Sequence, residues 1–221
     1  FVDVGAKDKA EVLDMGIHVG SVITFQDELF KLNNVYYCGR ALDNRLGGFC
    51  IAEVARILKE KKKKLPYSLY IVNAVQEEIG LRGAEMIANT IKPHVAIITD
   101  VTHDTSTPLI NNKIQGDTKC GLGPSLTYAP AVHNKLLEQI IQVAEDKKID
   151  FQRAAASRST GTDTDAFAYS NGGVPSVLIS LPLRYMHTTV EMAHQKDVES
   201  VIHLIFESLL SIKKDQSFKY F

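Results

Sequence analysis

Glu77 and Glu78 stand side by side at the end of an apolar run, Leu69-Tyr-Ile-Val-Asn-Ala-Val75, and lead directly into the turn Ile79-Gly-Leu-Arg-Gly83. A strand ending this way delivers its last side chains to the crevice where open α/β sheets bind ligands. Two neighbouring carboxylates there can divide the labour, one holding a metal ion and the other moving a proton. The plainer reading is a solvated pair of loop acids. Three further segments repeat the pattern: Asp43 in Gly39-Arg-Ala-Leu-Asp-Asn-Arg45, Asp100 closing Val95-Ala-Ile-Ile-Thr-Asp, and His187 after Val177-Leu-Ile-Ser-Leu-Pro-Leu-Arg-Tyr-Met186. Asp, Glu and His are the donors of a zinc-type hydrolytic centre that keeps positions open for water and substrate. Each also has an ordinary alternative: Asp43 as the cap of a helix beginning near Asn44, Asp100 as a turn residue, and His187 as a surface loop histidine. No one match is specific; the ordered set is.

For such ends to converge, strands and helices must alternate, and from residue 37 onward they do. Leu46, Phe49, Cys50, Val54, Ile57 and Leu58 form a helical stripe; residues 68–75 read as a buried strand, 82–90 as a helix and 95–99 as another strand. Leu136, Leu137, Ile140, Ile141 and Ala144 mark a later helix, 175–181 a strand, and Val198, Val201, Ile202, Ile205, Phe206 and Leu209 a closing helix. This alternation predicts an α/β fold, a mostly parallel mixed sheet flanked by helices. Residues 1–36 differ, with short apolar patches between turns and a brief helical piece near 9–15. Strands that short cannot bury a core alone, so 1–36 is expected to be part of a small β-rich unit, leaning on the α/β domain of 37–221 or on another subunit.

A chain of 221 residues with 45% hydrophobic and 23% charged content can bury one sizeable core. Its formal net charge of -1 offers no basic field for nucleic acid, and the one basic run, Lys59-Glu-Lys-Lys-Lys-Lys64, lies at a helix end where cations face water and favour the dipole. Three cysteines without paired spacing fit a reducing, cytoplasmic compartment rather than a disulfide framework. No apolar run is long enough to span a membrane, and no leader pattern is visible.

The ordered motifs Ala41-Leu-Asp43-Asn-Arg45, Gln76-Glu77-Glu78-Ile-Gly80, Thr99-Asp100 and Arg184-Tyr-Met-His187 resemble the dinuclear metallo-aminopeptidases that assemble into tetrahedral particles, the glutamyl and leucyl aminopeptidases often labelled endoglucanases. The resemblance extends to Phe1-Val-Asp-Val-Gly-Ala-Lys7, similar to the end of that family's inserted β-domain. Gly121-Leu-Gly-Pro124 and Gly161-Thr-Asp163 resemble its substrate-side loops. It implies that Asp43 bridges two divalent ions, zinc or cobalt, that Glu78 and His187 bind one of them, that Asp100 binds the other, and that Glu77 is the general base. Two such ions acidify a water and polarise a carbonyl together, and an unligated Glu77 moves the proton. It also implies short peptides as substrates and a homo-oligomer.

The family supplies a further ligand from an upstream His-x-Asp motif that this sequence does not contain; the expectation is a fragment that holds one ion tightly and the second weakly. Asp163, Asp165 and Glu191 compete for the task of orienting His187 or ordering the pocket, against a reading as turn-forming acids. Arg184 suits a substrate carboxylate or a structural ion pair. His94, His103, His133, His194 and His203 read as surface or packing residues, and Cys120 as a small apolar filler. Two rivals remain: a metal-independent glycosidase, disfavoured because adjacent strand residues point apart, and a non-catalytic assembly or peptide-binding module.

Overall fold

The structure, a computed structural model, describes residues 1–26 and 28–219. The N-terminal stretch carries one short helix, α1 (Lys9–Asp14), started by the Asp8 side chain accepting from the Glu11 N–H, in line with the helical piece expected near 9–15. A hairpin follows, β1 (Phe30–Leu32) and β2 (Tyr36–Gly39), then the long helix α2 (Leu42–Glu60), α3 (Arg82–Ile91), β3 (Ala96–His103), α4 (Asn112–Gln115) and β4 (Ser125–Tyr128). The remainder is α5 (Asn134–Lys147), β5 (Gln152–Ala155), α6 (Asp163–Ala168), β6 (Ser176–Arg184), β7 (Glu191–His194) and α7 (Gln195–Ser211).

Among the described residues the strands form one seven-stranded mixed sheet in the order β1-β2-β7-β6-β4-β5, with β3 on β6. The parallel β3–β6 ladder, Ala96↔Ser176 through His103↔Leu183, is its longest. β6 is buried along all but its last residue, as a strand covered on both faces requires. The second parallel pair is β4–β5, while β1–β2, β2–β7, β6–β7 and β4–β6 run antiparallel. The β1–β2 hairpin thus joins the main sheet through β7. No helix among the described residues is long and apolar enough to cross a membrane.

α2 and α5 each pack on α7, and all three lie on the sheet, while α3 and α6 form a second pair, α6 lying on β3 and β6. The helical stripes account for the burial: Leu46, Cys50, Val54 and Leu58 of α2 meet Val198, Val201, Ile205 and Leu209 of α7, with Leu136, Leu137, Ile140 and Ala144 of α5 in the same core. Phe49, expected in the α2 stripe, is instead exposed.

The expected strand at 68–75 is not one. The stretch carries no regular secondary structure and pairs with no strand among the described residues, and Leu69, Tyr70, Ile71 and Val75 are exposed. Apolar alternation supplies the propensity for a strand; a ladder needs a neighbour to complete it.

Candidate metal centre

Asp43 does not cap the regular part of α2, because Asn44 takes that role. The Asn44 Oδ1 accepts from the Gly47 N–H at 2.9 Å, and its Nδ2 donates to the Thr99 carbonyl at 2.8 Å. Ala41 in the left-handed region and the non-helical backbone of Asp43 and Asn44, joined by a cis peptide, turn the chain into α2. The Asp43 carboxylate is thereby left to the crevice. Asn44 has no distinctive signature in the sequence; its signal is an amide one residue past a candidate ligand.

Glu77 and Glu78 sit on a tight turn in which the Gly80 and Leu81 N–H groups both donate to the Glu77 carbonyl. The turn closes because Gly83 lies against the backbone of Val75: its N–H donates to the Val75 carbonyl at 2.9 Å, and a Cβ there would collide with Val75 backbone atoms. His187 occupies the turn after β6 with φ of 63°. Its backbone N–H donates at 2.8 Å to Glu191 Oε1. The other oxygen of Glu191 accepts from the Asp43 N–H at 3.1 Å. One carboxylate, 2% exposed, therefore ties two ligand segments together. Glu191 meets His187 through its backbone and not through the ring, the route that the sequence suggested.

These turns bring three candidate ligands together. Asp43, Glu78 and His187 each offer one donor atom, all within 4.8 Å of one another; His187 Nε2 is 3.1 Å from Asp43 Oδ2 and 3.4 Å from Glu78 Oε2. Two carboxylates and an imidazole fit a zinc-type ion. Asp43 is largely buried while Glu78 and His187 face solvent, leaving the position open on one side. Asp100 and Glu77 lie outside this trio but within its field. Burial, then the charges of Glu78 and Glu191, raises the Asp43 pKa to about 6. Burial, then the charges of Asp163, Glu78 and Asp43, raises Glu77 to about 7. Burial, with Asp43, Glu77 and Asp163 adding to it, raises Asp100 to about 8 against the Val101 N–H it accepts from. Such crowding of like charge is relieved by a cation. Asp100 lies within β3, which runs three residues beyond it.

Asp163 begins α6, its Oδ1 buried without a hydrogen-bond partner among the described residues. Asp165 accepts from the Thr160 and Gly161 N–H groups and so orders its own loop. Arg184 stacks over the Tyr185 ring at 5.3 Å, and its buried Nε has no hydrogen-bond partner among the described residues. His133 and His194 accept from helix N–H groups at the starts of α5 and α7, as structural residues. Cys120 donates its thiol to the Pro182 carbonyl, and burial pushes its pKa up. Asp104 and Asp197 carry roles that the sequence does not signal. Asp104 accepts from the Cys120 N–H, and Asp197 from the Gly121 and Gly123 N–H groups, so together they fix the glycine loop before β4.

A sequence profile of M42 glutamyl aminopeptidases matches residues 1–204. The lysyl aminopeptidase of Pyrococcus furiosus is 35% identical over 213 residues, covering 96% of this chain and 60% of that protein. Among solved structures, a TET aminopeptidase from a marine-sediment Thaumarchaeota archaeon superposes with a TM-score of 0.87 at 31% identity, over 96% of this chain and 60% of that one. The Pyrococcus horikoshii TET1 peptidase, which assembles into a tetrahedron or an octahedral shell, gives 0.74 at 25% identity over 95% and 60%. The chain spans about three fifths of the length of these proteins. Across that span, sequence and fold agree: the chain belongs to the M42 glutamyl aminopeptidase family.

Proposed function

We propose that this chain carries the hydrolytic centre of a metal-dependent aminopeptidase that removes N-terminal residues from short peptides. The observation that carries the reading is the Asp43–Glu78–His187 trio, with Glu77 beside it. Zinc or cobalt bound there would supply Lewis acidity toward water and the scissile carbonyl. Asp43, Glu78 and His187 would hold one ion; Asp100, together with Asp43, would contribute to a second that needs further donors. Glu77, not among the three residues that would hold the ion, would accept the proton of the attacking water and return it to the departing amine.

Asp163 bounds the acidic side of the pocket, and Glu191 positions Asp43 and His187. Arg184, with a guanidinium free of any carboxylate pair among the described residues, would receive an acidic substrate side chain. Residues 1–36 belong in this reading to a β-rich unit and 37–221 to the catalytic α/β unit. The relatives' assemblies favour a homo-oligomer, and three free cysteines favour a reducing, cytoplasmic setting.

The test is metal content by elemental analysis of protein purified without chelator, followed by hydrolysis of aminoacyl p-nitroanilides. About one tightly held ion per chain, lost in Glu78→Ala, with chelator-sensitive hydrolysis lost in Glu77→Gln, is the expected result. Absence of bound ion would leave the non-catalytic binding reading; glycoside cleavage insensitive to chelator would establish the glycosidase.

A further inference from the structure

We propose that Asp163 receives the N-terminal ammonium of the substrate and so fixes the site's choice of free peptide ends, an assignment that rests on the aminopeptidase reading. Among the described residues, Asp163 is the one acid with a buried side-chain oxygen, Oδ1, that has no hydrogen-bond partner. Its own loop leaves it so. Thr162 starts α6, its Oγ1 accepting from the Thr164 N–H at 3.2 Å, and Thr160, Thr162 and Thr164 join hydroxyl to hydroxyl at 2.9 Å. Asp165 turns back to accept from the Thr160 and Gly161 N–H groups. The threonines and Asp165 are thus engaged within the loop, and α6 is held against β6 and against β3, the strand of Asp100. A buried carboxylate oxygen without a partner is unfavourable by itself, and one that persists beside a reactive crevice points to a ligand.

The surroundings select a cation. Of the charges that act on Glu77, that of Asp163 is the largest, ahead of Glu78, its neighbour in the chain, and of Asp43; Asp163 acts on Asp100 as well. A neutral donor would fill the lone pair and leave the crowded negative charge in place, whereas an ammonium answers both through a charge-assisted hydrogen bond. Covalent geometry says where that ammonium lies. The nitrogen on the first Cα of a peptide is about 2.5 Å from the first carbonyl carbon, the atom attacked by the water that Glu77 serves, so its partner has to be an acid beside Glu77. The other acids are engaged. Asp43 and Glu78 belong to the trio, Glu191 has both oxygens on backbone N–H groups, and Asp100 accepts from the Val101 N–H. Asp163 remains. An acylated amine brings no charge to it, and an internal residue offers only a neutral amide N–H, so this pairing separates removal of end residues from internal cleavage.

The probes are leucinol and N-acetyl-leucinol, which differ in the ammonium and carry no aminoacyl bond for the site to cleave. Each is titrated calorimetrically, at neutral pH, into the whole chain purified without chelator. Leucinol is expected to bind about 10–100-fold more tightly. Asp163→Asn should bind the two alike while keeping its fold and its ion content, since Oδ1 has no bond to lose. Asp146→Asn, at an exposed position on α5, should leave the preference unchanged. Four results would each overturn the assignment: no preference in the parent, including no binding of either probe; a preference that survives Asp163→Asn, as an amine bound to a metal would give; loss of the bound ion in Asp163→Asn, which would make Asp163 a ligand; and failure of that variant to fold, which would make its carboxylate structural. A parent without ion or hydrolysis that still prefers leucinol, and loses the preference in Asp163→Asn, would count against the peptidase reading alone.

Discussion

Replacing Glu191 by alanine removes the one side chain that binds both the Asp43 and the His187 segments. Its two oxygens accept from backbone N–H groups at 3.1 and 2.8 Å in a place only 2% exposed. A hydrogen bond to a charged group contributes about 1.5–3 kcal/mol, and a buried donor left without a partner incurs a similar desolvation cost. Two such bonds to one carboxylate are not independent, so the loss comes to roughly 3–5 kcal/mol, a large share of a domain's ~5–15 kcal/mol. Glu191→Gln keeps one acceptor and turns an amide donor toward the other N–H, which places it between, at about 1–3 kcal/mol. Because the same bonds orient two candidate ligands, zinc affinity falls by about 10–100-fold in the alanine variant. Urea unfolding followed by circular dichroism gives the first quantity, and calorimetric zinc titration of the folded variant gives the second. An alanine variant within about 0.5 kcal/mol of the parent, binding zinc equally well, would refute the view of Glu191 as the clamp.

Three further outcomes are expected. Asp43 and Asp100 have pKa values raised to about 6 and 8 in the fold. A carboxylate of this kind stabilises the fold below its unfolded pKa and loses that contribution as pH rises through its folded value. The denaturant midpoint of chelated protein should therefore fall between pH 5 and pH 8, and saturating zinc should flatten the slope; a midpoint that rises over this window would contradict the acidic crowding. Gly123 has φ of 89°, and a Cβ there would strike the Asp150 carbonyl, so Gly123→Ala should cost about 3 kcal/mol or more in thermal unfolding. Gly172→Ala, at φ of 80° with open space, should cost only about 1 kcal/mol. Glu77→Gln should keep its bound ion while losing hydrolysis, a pairing that elemental analysis and a p-nitroanilide assay report together; lost ion would make Glu77 a ligand instead.

Much of this was legible in the residues. The stripes of α2, α5 and α7 predicted which faces are buried, Phe49 of α2 excepted, since 3.6-residue periodicity and burial have the same cause; β6 was legible as a long apolar run. The candidate ligands could be named because acids and a histidine at the ends of apolar runs are chemically conspicuous. Spacing alone could not say which donors meet. His187 and Glu78 are far apart in sequence and become neighbours through a left-handed turn and a glycine's approach to Val75. Nor could it show that Asn44 relieves Asp43 of capping, that Glu191 works through two backbone N–H groups, or that Asp197 holds the glycine loop, because each arrangement includes a long-range bond to backbone that carries no sequence pattern. The stretch 68–75 marks the boundary most clearly. Composition determined its propensity for a strand, but whether a strand forms depends on a neighbour in space, and that belongs to tertiary structure alone.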